Sequence, residues 1–419
     1  MKSTITCDME GVIRSYNRGA EEVFGYAAAE VVGLKRVSLF SPGLVVLQNV
    51  EAWLRTAREK KVYEGETVFV RKDGSEFPAH IRITPTYQDG VQTGYCGVTE
   101  PLDRPVAVRI SAMTRALAWL VVMRAPFLSA SIMPVLIGGA FAAAAAPQAD
   151  FPGGHFALAL IGVALLHLAS NVFNDYFDWK SGTDQANASY FLKYSGGSRG
   201  IELGLVTVGQ TLQLAVGLLG VSTLIGIYLT AAVGWGVLVF GLAGACAGYF
   251  YTAPPIRLVA RRGLGELFIG LAFGPLITAG VVYTVTGSTE LLWSSLLLGA
   301  PVGLLTANIL VINQVPDAEA DASTGKNHLV VTLGKENTPL LYGGIWGLAL
   351  VLHAVLALSL PAATLWWWIP WAAALIHGVS ILAYMRRHIG DRSLVRANVQ
   401  TILLNLHYGL LTTGAILIS

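Results

Sequence analysis

The chain has 419 residues, 54% of them hydrophobic and only 13% charged, with a mean hydropathy of +0.58. That balance excludes an ordinary soluble protein and puts most of the chain in lipid. The formal net charge of +2 gives no reason to expect a nucleic-acid partner, and Cys7, Cys96 and Cys246 are too far apart in sequence for a CxxC pair or a zinc spacing.

The opening MKSTITCDMEG lacks the apolar core of a signal peptide, so the N-terminus is expected to stay in the cytoplasm. Residues 1–102 are rich in charge and break into short alternating runs, which predicts a small soluble α+β domain. A hairpin is expected around Asp8–Gly11, helices over AEEVFGY and LVVLQNVEAWLRTAREKK, and three strands from Glu66 to Glu100. Lys72-Asp73-Gly74 and Gln88-Asp89-Gly90 supply the Asp-Gly turns between those strands. This β-β-α-α-β-β-β order, with Asn17, FGY at Phe24 to Tyr26, EVVG at Glu30 to Gly33 and KDGSEFP at Lys72 to Pro78, resembles a PAS domain. Such domains bind haem, flavin or small ligands, or serve as dimerisation surfaces, so the resemblance allows a homodimer through this module. His80 alternates within a strand and reads as a strand residue rather than a haem ligand, so no cofactor is assigned here. Residues 103–121 are expected to be a linker, and 122–419 a membrane domain.

Apolar runs of spanning length fall near 125–146, 156–175, 209–231, 235–252, 265–284, 290–312, 338–360, 365–385 and 399–417, which predicts an all-α bundle of about nine transmembrane helices. The connecting segments PQADFPGGH, AAVGW, TVTGSTE and LPAAT contain no Lys or Arg. The alternate segments carry Lys180, Lys193, Arg199, Arg257, Arg261, Arg262, Lys326, Lys335, Arg386, Arg387, Arg392 and Arg396. The positive-inside rule turns these basic segments to the cytoplasm, in an inner membrane crossed several times.

Two polar clusters stand out against this background. Asn171, Asn174, Asp175 and Asp178 are spaced i, i+3, i+4 and i+7, one helical face, and Asp184 follows shortly after. Asn313, Asp317 and Asp321 repeat the pattern at i, i+4 and i+8, although Pro316 is expected to break or kink that helix. Ionisable groups at membrane depth are costly and mark functional sites. Either cluster alone also reads as solvated loop charge, but two Asn-plus-Asp clusters on one side of the membrane suggest a shared cavity. Grouped carboxylates repel unless a cation lies between them, and Mg²⁺ takes oxygen ligands while leaving room for phosphate. The expected ligands are Asp175, Asp178, Asp317 and Asp321, with Lys180, Lys193, Arg199 and Lys326 on the remaining diphosphate oxygens.

NDYFDWKSGTD, SGGSRGIELG (Ser195 to Gly204), YTAPPIRLVARRGLGE (Tyr251 to Glu266) and NQVPDAEADASTGKNHLVVTLG (Asn313 to Gly334) resemble the motifs of the UbiA superfamily of intramembrane aromatic prenyltransferases. The likeness is strongest to the 1,4-dihydroxy-2-naphthoate polyprenyltransferases, whose third acid lies two residues after a glycine, as Asp184 follows Gly182. The resemblance implies Mg²⁺-dependent transfer from an isoprenyl diphosphate to an aromatic acceptor. Asp175, Asp178, Asp317, Asp321 and Lys326 would then be catalytic, and Asn171, Asn174, Tyr176, Lys180, Asp184, Arg199, Tyr251 and Asn313 would bind substrate. Tyr176, Tyr249 and Tyr251 are candidate aromatics for the allylic cation, and Asn405, His407 and Tyr408 lie in the last helix within reach of the cavity. Two alternatives stay open: another acceptor (4-hydroxybenzoate, homogentisate, a chlorin or a glycerol-phosphate lipid), or a PAS-linked membrane receptor or transporter.

Overall fold

The computed structural model describes residues 2–145, 150–187, 190, 195–359 and 365–419. The chain divides into two compact units, one made of Met1–Val122 with Ser198–Val208, the other of Met123–Gly197 with Gly209–Ser419.

In the first unit β1 (Ser3–Asp8) and β2 (Ile13–Tyr16) form the expected hairpin. Helix α1 (Arg18–Phe24) and a helical run from Gly43 that ends in α2 (Glu51–Lys60) follow. β3 (Tyr63–Val70), β4 (Glu76–Gln88) and β5 (Val91–Pro101) complete an antiparallel sheet of order β2-β1-β5-β4-β3. Asn17 starts α1, its Oδ1 accepting from the Ala20 N–H at 2.8 Å and, across to β1, from the Thr4 N–H at 2.9 Å. Asp89 and Gly90 both take positive φ, +52° and +79°, as a two-residue hairpin turn matched to strand twist requires. Phe24 is fully buried between Phe40, Phe69 and Phe77, with ring centroids 4.3, 5.7 and 5.6 Å away. His80 lies in β4 opposite Glu66 and Glu100. Within the segment expected to be linker, α3 (Ala112–Val122) forms, tied down by Gln48, which accepts from the Ser111 N–H and the Thr114 hydroxyl at 2.9 Å each.

Among the described residues, the second unit has nine helices long and apolar enough to cross a membrane: α4 (Ala125–Ala145), α5 (Gly153–Ser181), α6 (Val208–Val233), α7 (Trp235–Thr252), α8 (Leu264–Thr286), α9 (Leu292–Ser323), α10 (Lys335–Ser359), α11 (Leu365–His388) and α12 (Arg392–Ile418). The protein is a multi-pass membrane protein. α5 and α9 are the longest, at 29 and 32 residues, about 44 and 48 Å of helix. A hydrocarbon core is about 30 Å thick, so both overshoot it. The overshoot is polar in each, which is why hydropathy alone ends these helices at 175 and 312. Pro316 neither breaks nor ends α9, which runs through Pro301 and Pro316 to Ser323. Both prolines are buried among neighbouring helices, which compensate the lost backbone bonds. α8 and α9 approach through glycine: a Cβ on Gly303 would stand 2.1 Å from the Gly270 carbonyl oxygen, so only bare backbone fits.

Burial pushes the Cys7 thiol in β1 up from 9.0 to about 12. Below pH 9 the thiol is neutral in folded and unfolded chain alike. Between about pH 9 and pH 12 only the unfolded thiol ionises, so this contribution to stability is lost as pH rises. Hydrogen exchange across β1 in the full chain should accelerate over that interval, and Cys7→Ala should flatten the dependence. An unchanged profile in Cys7→Ala would assign the effect to another group.

Candidate active site

The polar overshoots of α5 and α9 meet at the head of a cavity of about 400 Å³. Asn171, Asn174 and Asp178 of α5 line it, as the single-face spacing predicts, and Asp175 is buried beside them. Gly182, at φ +81°, ends α5 with its N–H on the Asp178 and Trp179 carbonyls, and the chain turns so that Thr183 and Asp184 also face the cavity. Asn313, Gln314, Asp317 and Asp321 line it from α9.

Lys326 joins the two clusters. Its Nζ donates to Asp178 Oδ2 at 2.8 Å and stands 3.5 Å from Asp321 Oδ1, with all three side chains buried. Burial alone would lower the Lys326 pKa, but the Asp178 and Asp321 carboxylates outweigh it and hold the value above that of an ordinary lysine. Asp321 Oδ2 is 3.1 Å from His328 Nε2. His328 Nδ1 accepts the Val331 N–H at 3.3 Å, so the ring proton belongs on Nε2, directed at Asp321. Asp317 accepts from Asn187 Nδ2 at 2.7 Å and from the Gly196 N–H at 2.8 Å. Gly197 lies against the other acids, since a Cβ there would be 2.8 Å from Asp175 Oδ1 and 3.6 Å from Asp184 Oδ1.

The apolar wall runs from Leu166 and Phe273 to Leu229 and Val237, and on α5 the lining extends from Leu158 to Asp178. That is 21 residues of helix, about 30 Å from first to last, the depth of a bilayer's hydrocarbon core. Tyr251 lines the cavity with its hydroxyl buried and, among the described residues, without a protein partner, and both polar atoms of the Gln314 amide are in the same condition.

Four lining residues are acids (Asp178, Asp184, Asp317, Asp321) and two, Arg124 and Lys326, are fixed cations. A diphosphate entering so acidic a head would be repelled unless divalent cations came with it, and all-oxygen donors suit Mg²⁺. Among the described residues no three acidic or histidine side chains converge closely enough to cage an ion. Mg²⁺ takes one or two carboxylates and completes its shell with water and phosphate, and the all-oxygen donors of the cavity head fit that chemistry.

Several expected residues stand elsewhere. Successive helical residues are about 100° apart, which carries Tyr176 and Lys180 far round from the acidic stripe. Lys180 is exposed and holds its Nζ 5.1 Å from the Tyr176 ring centre; neither residue lines the cavity. Tyr249 faces outward, packed edge-on to Phe173 and Phe177. Arg199 belongs to the first unit, where its guanidinium pairs with Glu202 at 3.0 Å. Lys193 lies outside the described residues. Asn313 accepts from Asn398 at 2.7 Å, while the Asn405 Nδ2 donates to Thr306 and the Val302 carbonyl and Tyr408 pairs with His353. His407 lies against His377, away from the cavity. Sequence reasoning missed Asn187, Gly196, Gln314 and His328. Of these His328 carried a signal, as the only ionisable side chain in the turn after Lys326.

A carboxylate-headed, apolar-walled cavity inside a helical bundle defines a membrane enzyme handling a lipid with a charged head. A model of the UbiA prenyltransferase family matches residues 131–406, and one of the PAS domain matches residues 2–99. The chain belongs to the UbiA prenyltransferase family: it is a membrane prenyltransferase with an N-terminal PAS domain. It is 30% identical over 311 residues to the 2-carboxy-1,4-naphthoquinone phytyltransferase of Synechocystis sp., covering 73% of this chain and 93% of that one. To the 1,4-dihydroxy-2-naphthoate octaprenyltransferase of Bacillus subtilis it is 29% identical over 228 residues, 54% of this chain and 68% of that relative. A UbiA homolog from Archaeoglobus fulgidus, solved bound to DMAPP and Mg²⁺, shares the fold with a TM-score of 0.52 at 18% identity, over 71% of this chain and 99% of that structure.

Removing the buried cation should be far costlier than removing an exposed one. Lys326→Met leaves two buried carboxylates without it and should cost about 3–5 kcal/mol. Lys335→Met breaks a pair whose Glu319 side chain is 81% exposed and should cost about 0–1 kcal/mol. Thermal unfolding of the two variants in detergent measures the gap, and equal losses would show that Lys326 is not the tie between α5 and α9.

Proposed function

We propose that the protein transfers a polyprenyl group from an isoprenyl diphosphate to 1,4-dihydroxy-2-naphthoate, with Mg²⁺, at the cytoplasmic face of the membrane. The observation that carries this reading is the meeting of the two acid clusters, tied by Lys326, at one end of an apolar cavity about as deep as the hydrocarbon core. The naphthoate acceptor is supported by the two relatives named for naphthoate substrates. Lys180, Arg257, Arg261, Arg262, Lys326 and Lys335, in segments at the acidic end, support its facing the cytoplasm.

In this reading Asp175, Asp178, Asp317 and Asp321 hold Mg²⁺, which when bound neutralises diphosphate oxygens and so eases departure of the leaving group. Lys326 adds fixed positive charge where negative charge grows as the allylic C–O bond breaks. His328, through its N–H to Asp321, and Asn187 with the Gly196 N–H, through Asp317, fix the orientation of those carboxylates. The apolar wall takes the prenyl chain and keeps water from the allylic cation. The Tyr251 ring lies in the cavity to face that cation, and its hydroxyl and the Gln314 amide are available to the acceptor's polar groups. A ring carbon of the acceptor forms the new C–C bond, and the carboxylate on that carbon leaves as CO₂.

Membranes containing the protein, supplied with Mg²⁺, labelled polyprenyl diphosphate and a panel of aromatic acceptors, test the reading. The naphthoate should be prenylated in preference to 4-hydroxybenzoate and homogentisate, chelation should abolish turnover, and Asp175→Asn or Asp317→Asn should lower it by about 10²-fold or more. Preference for a different acceptor would overturn the naphthoate assignment. Full activity in both variants would overturn the site.

A further inference from the structure

The segment that follows α7 ends on an acid outside the cavity wall. Glu266 lies in the first turn of α8, 4% exposed, and does not line the cavity. A helix start favours an acid, whose usual partners are the N–H groups of its own first turn. Glu266 is turned elsewhere: its Oε1 accepts the N–H of Leu329, 63 residues further along the chain, at 2.8 Å. Its Oε2 has no partner among the described residues. A carboxylate buried on one hydrogen bond is costly, and an apolar side chain would fill the same space at less cost.

Leu329 is where the turn after α9 ends. Gly325, at φ +78°, reverses the chain with its N–H on the Ala322 carbonyl, and the Lys326 N–H returns to the Asp321 carbonyl at 2.8 Å. His328 then begins a short helical turn, Leu329–Leu333, whose leading N–H groups have no partner within it. His328 Nδ1 takes the Val331 N–H, and Glu266 takes that of Leu329. The stretch bearing Lys326 and His328 is thus tied to α9 at one end and to α8 at the other. The fit at the second end is close. A Cβ on Gly263 would stand 3.3 Å from Leu329 Cδ2, and one on Gly265 would stand 3.1 Å from Val259 Cα and 3.5 Å from the Tyr251 ring. The start of α8 is therefore packed between Tyr251, which lines the cavity, and the turn that carries Lys326.

We propose that Glu266 is a positioning residue: by holding the Leu329 N–H it keeps Lys326 between Asp178 and Asp321, and His328 on Asp321. A lysine is a point charge on a flexible stem, so the place of its ammonium depends on where its backbone is held. Lys326 Nζ reaches carboxylates of two different helices at 2.8 and 3.5 Å, and the longer contact is the first that a shift of the turn would lose. The part this plays in turnover rests on the prenyl-transfer reading, whereas the link between Glu266 and the turn does not.

Hydrogen–deuterium exchange on the full chain in detergent, paired with prenyl-transfer kinetics, tests it. Glu266→Leu keeps the bulk and removes the acceptor. The Leu329 amide should then exchange faster, kcat should fall towards the about 10²-fold that a 1 Å misplacement can cost, and KM for the aromatic acceptor should stay as in the wild type. Glu266→Gln retains a side-chain oxygen for the Leu329 N–H and should bring exchange and kcat back near the wild type. Leu329→Pro removes the same hydrogen bond from the donor's side. The site accepts proline, being the first of a helical turn after an extended residue, His328 at φ −70° and ψ 174°. This variant should lower kcat as Glu266→Leu does, and the double variant should fall no further. Unchanged Leu329 exchange in Glu266→Leu, a loss in Glu266→Gln equal to that in Glu266→Leu, or additive losses in the double variant overturn the proposal. Absence of turnover in the wild type would instead tell against the prenyl-transfer reading, with the exchange comparison still deciding the link.

Discussion

A buried lysine between two buried carboxylates is the constraint on which the membrane unit's chemistry depends. Asp178 and Asp321 come from the ends of different helices, 143 residues apart in the chain, and two buried carboxylates so placed call for a shared counter-charge. Lys326 supplies it from the turn after α9, at 2.8 and 3.5 Å. The arrangement also leaves an acidic surplus at the cavity head, with Asp184 and Asp317 facing the same space. Such a surplus is wasteful for stability alone. It is intelligible as a site in which an anionic headgroup arrives with its own cations and substitutes for solvent.

The helices are built to deliver that arrangement. α5 and α9 could have stopped at the bilayer surface, and each instead continues for two to three turns beyond about 30 Å of hydrocarbon, carrying one polar stripe apiece. A helix gives the stripe rigidity that a loop would lack, and the apolar remainder of the same helix walls the cavity. On the proposed reading, prenyl chain and leaving group would both lie along one continuous element, α5, from Leu158 to Asp178. The near contact of Gly270, Gly274 and Gly303 packs α9, which carries the second stripe, backbone to backbone against α8.

What could be read in the sequence followed from periodicity. Asn171, Asn174, Asp175 and Asp178 were legible because helical phase alone gathers them, and the five strands because Asp-Gly turns and alternation mark them. Tyr176 and Lys180 misled because residue type was weighed and phase was not: both suit a diphosphate site and both point away from it. Pro316 misled because an isolated proline argues against a helix, whereas burial among other helices supports one. Asn187 and Gly196 were illegible, since contacts 130 and 121 residues from Asp317 depend on how loops close over the bundle. Gln314 looked like a spacer between Asn313 and Asp317, and only its buried, unpartnered amide marks it.

The same distinction separates the acids that need only their helix from the one that also depends on a loop. The acids on helices need no outside support, because hydrogen bonds of the helix hold their backbones. The Asp317 carboxylate also depends on Gly196, in a stretch whose conformations cost more entropy to fix than those of any other residue type. A bare loop of that composition would spend much of its time away from Asp317. The Gly196 N–H on one Asp317 oxygen and the Asn187 amide on the other supply that hold, so the carboxylate and the loop fix each other.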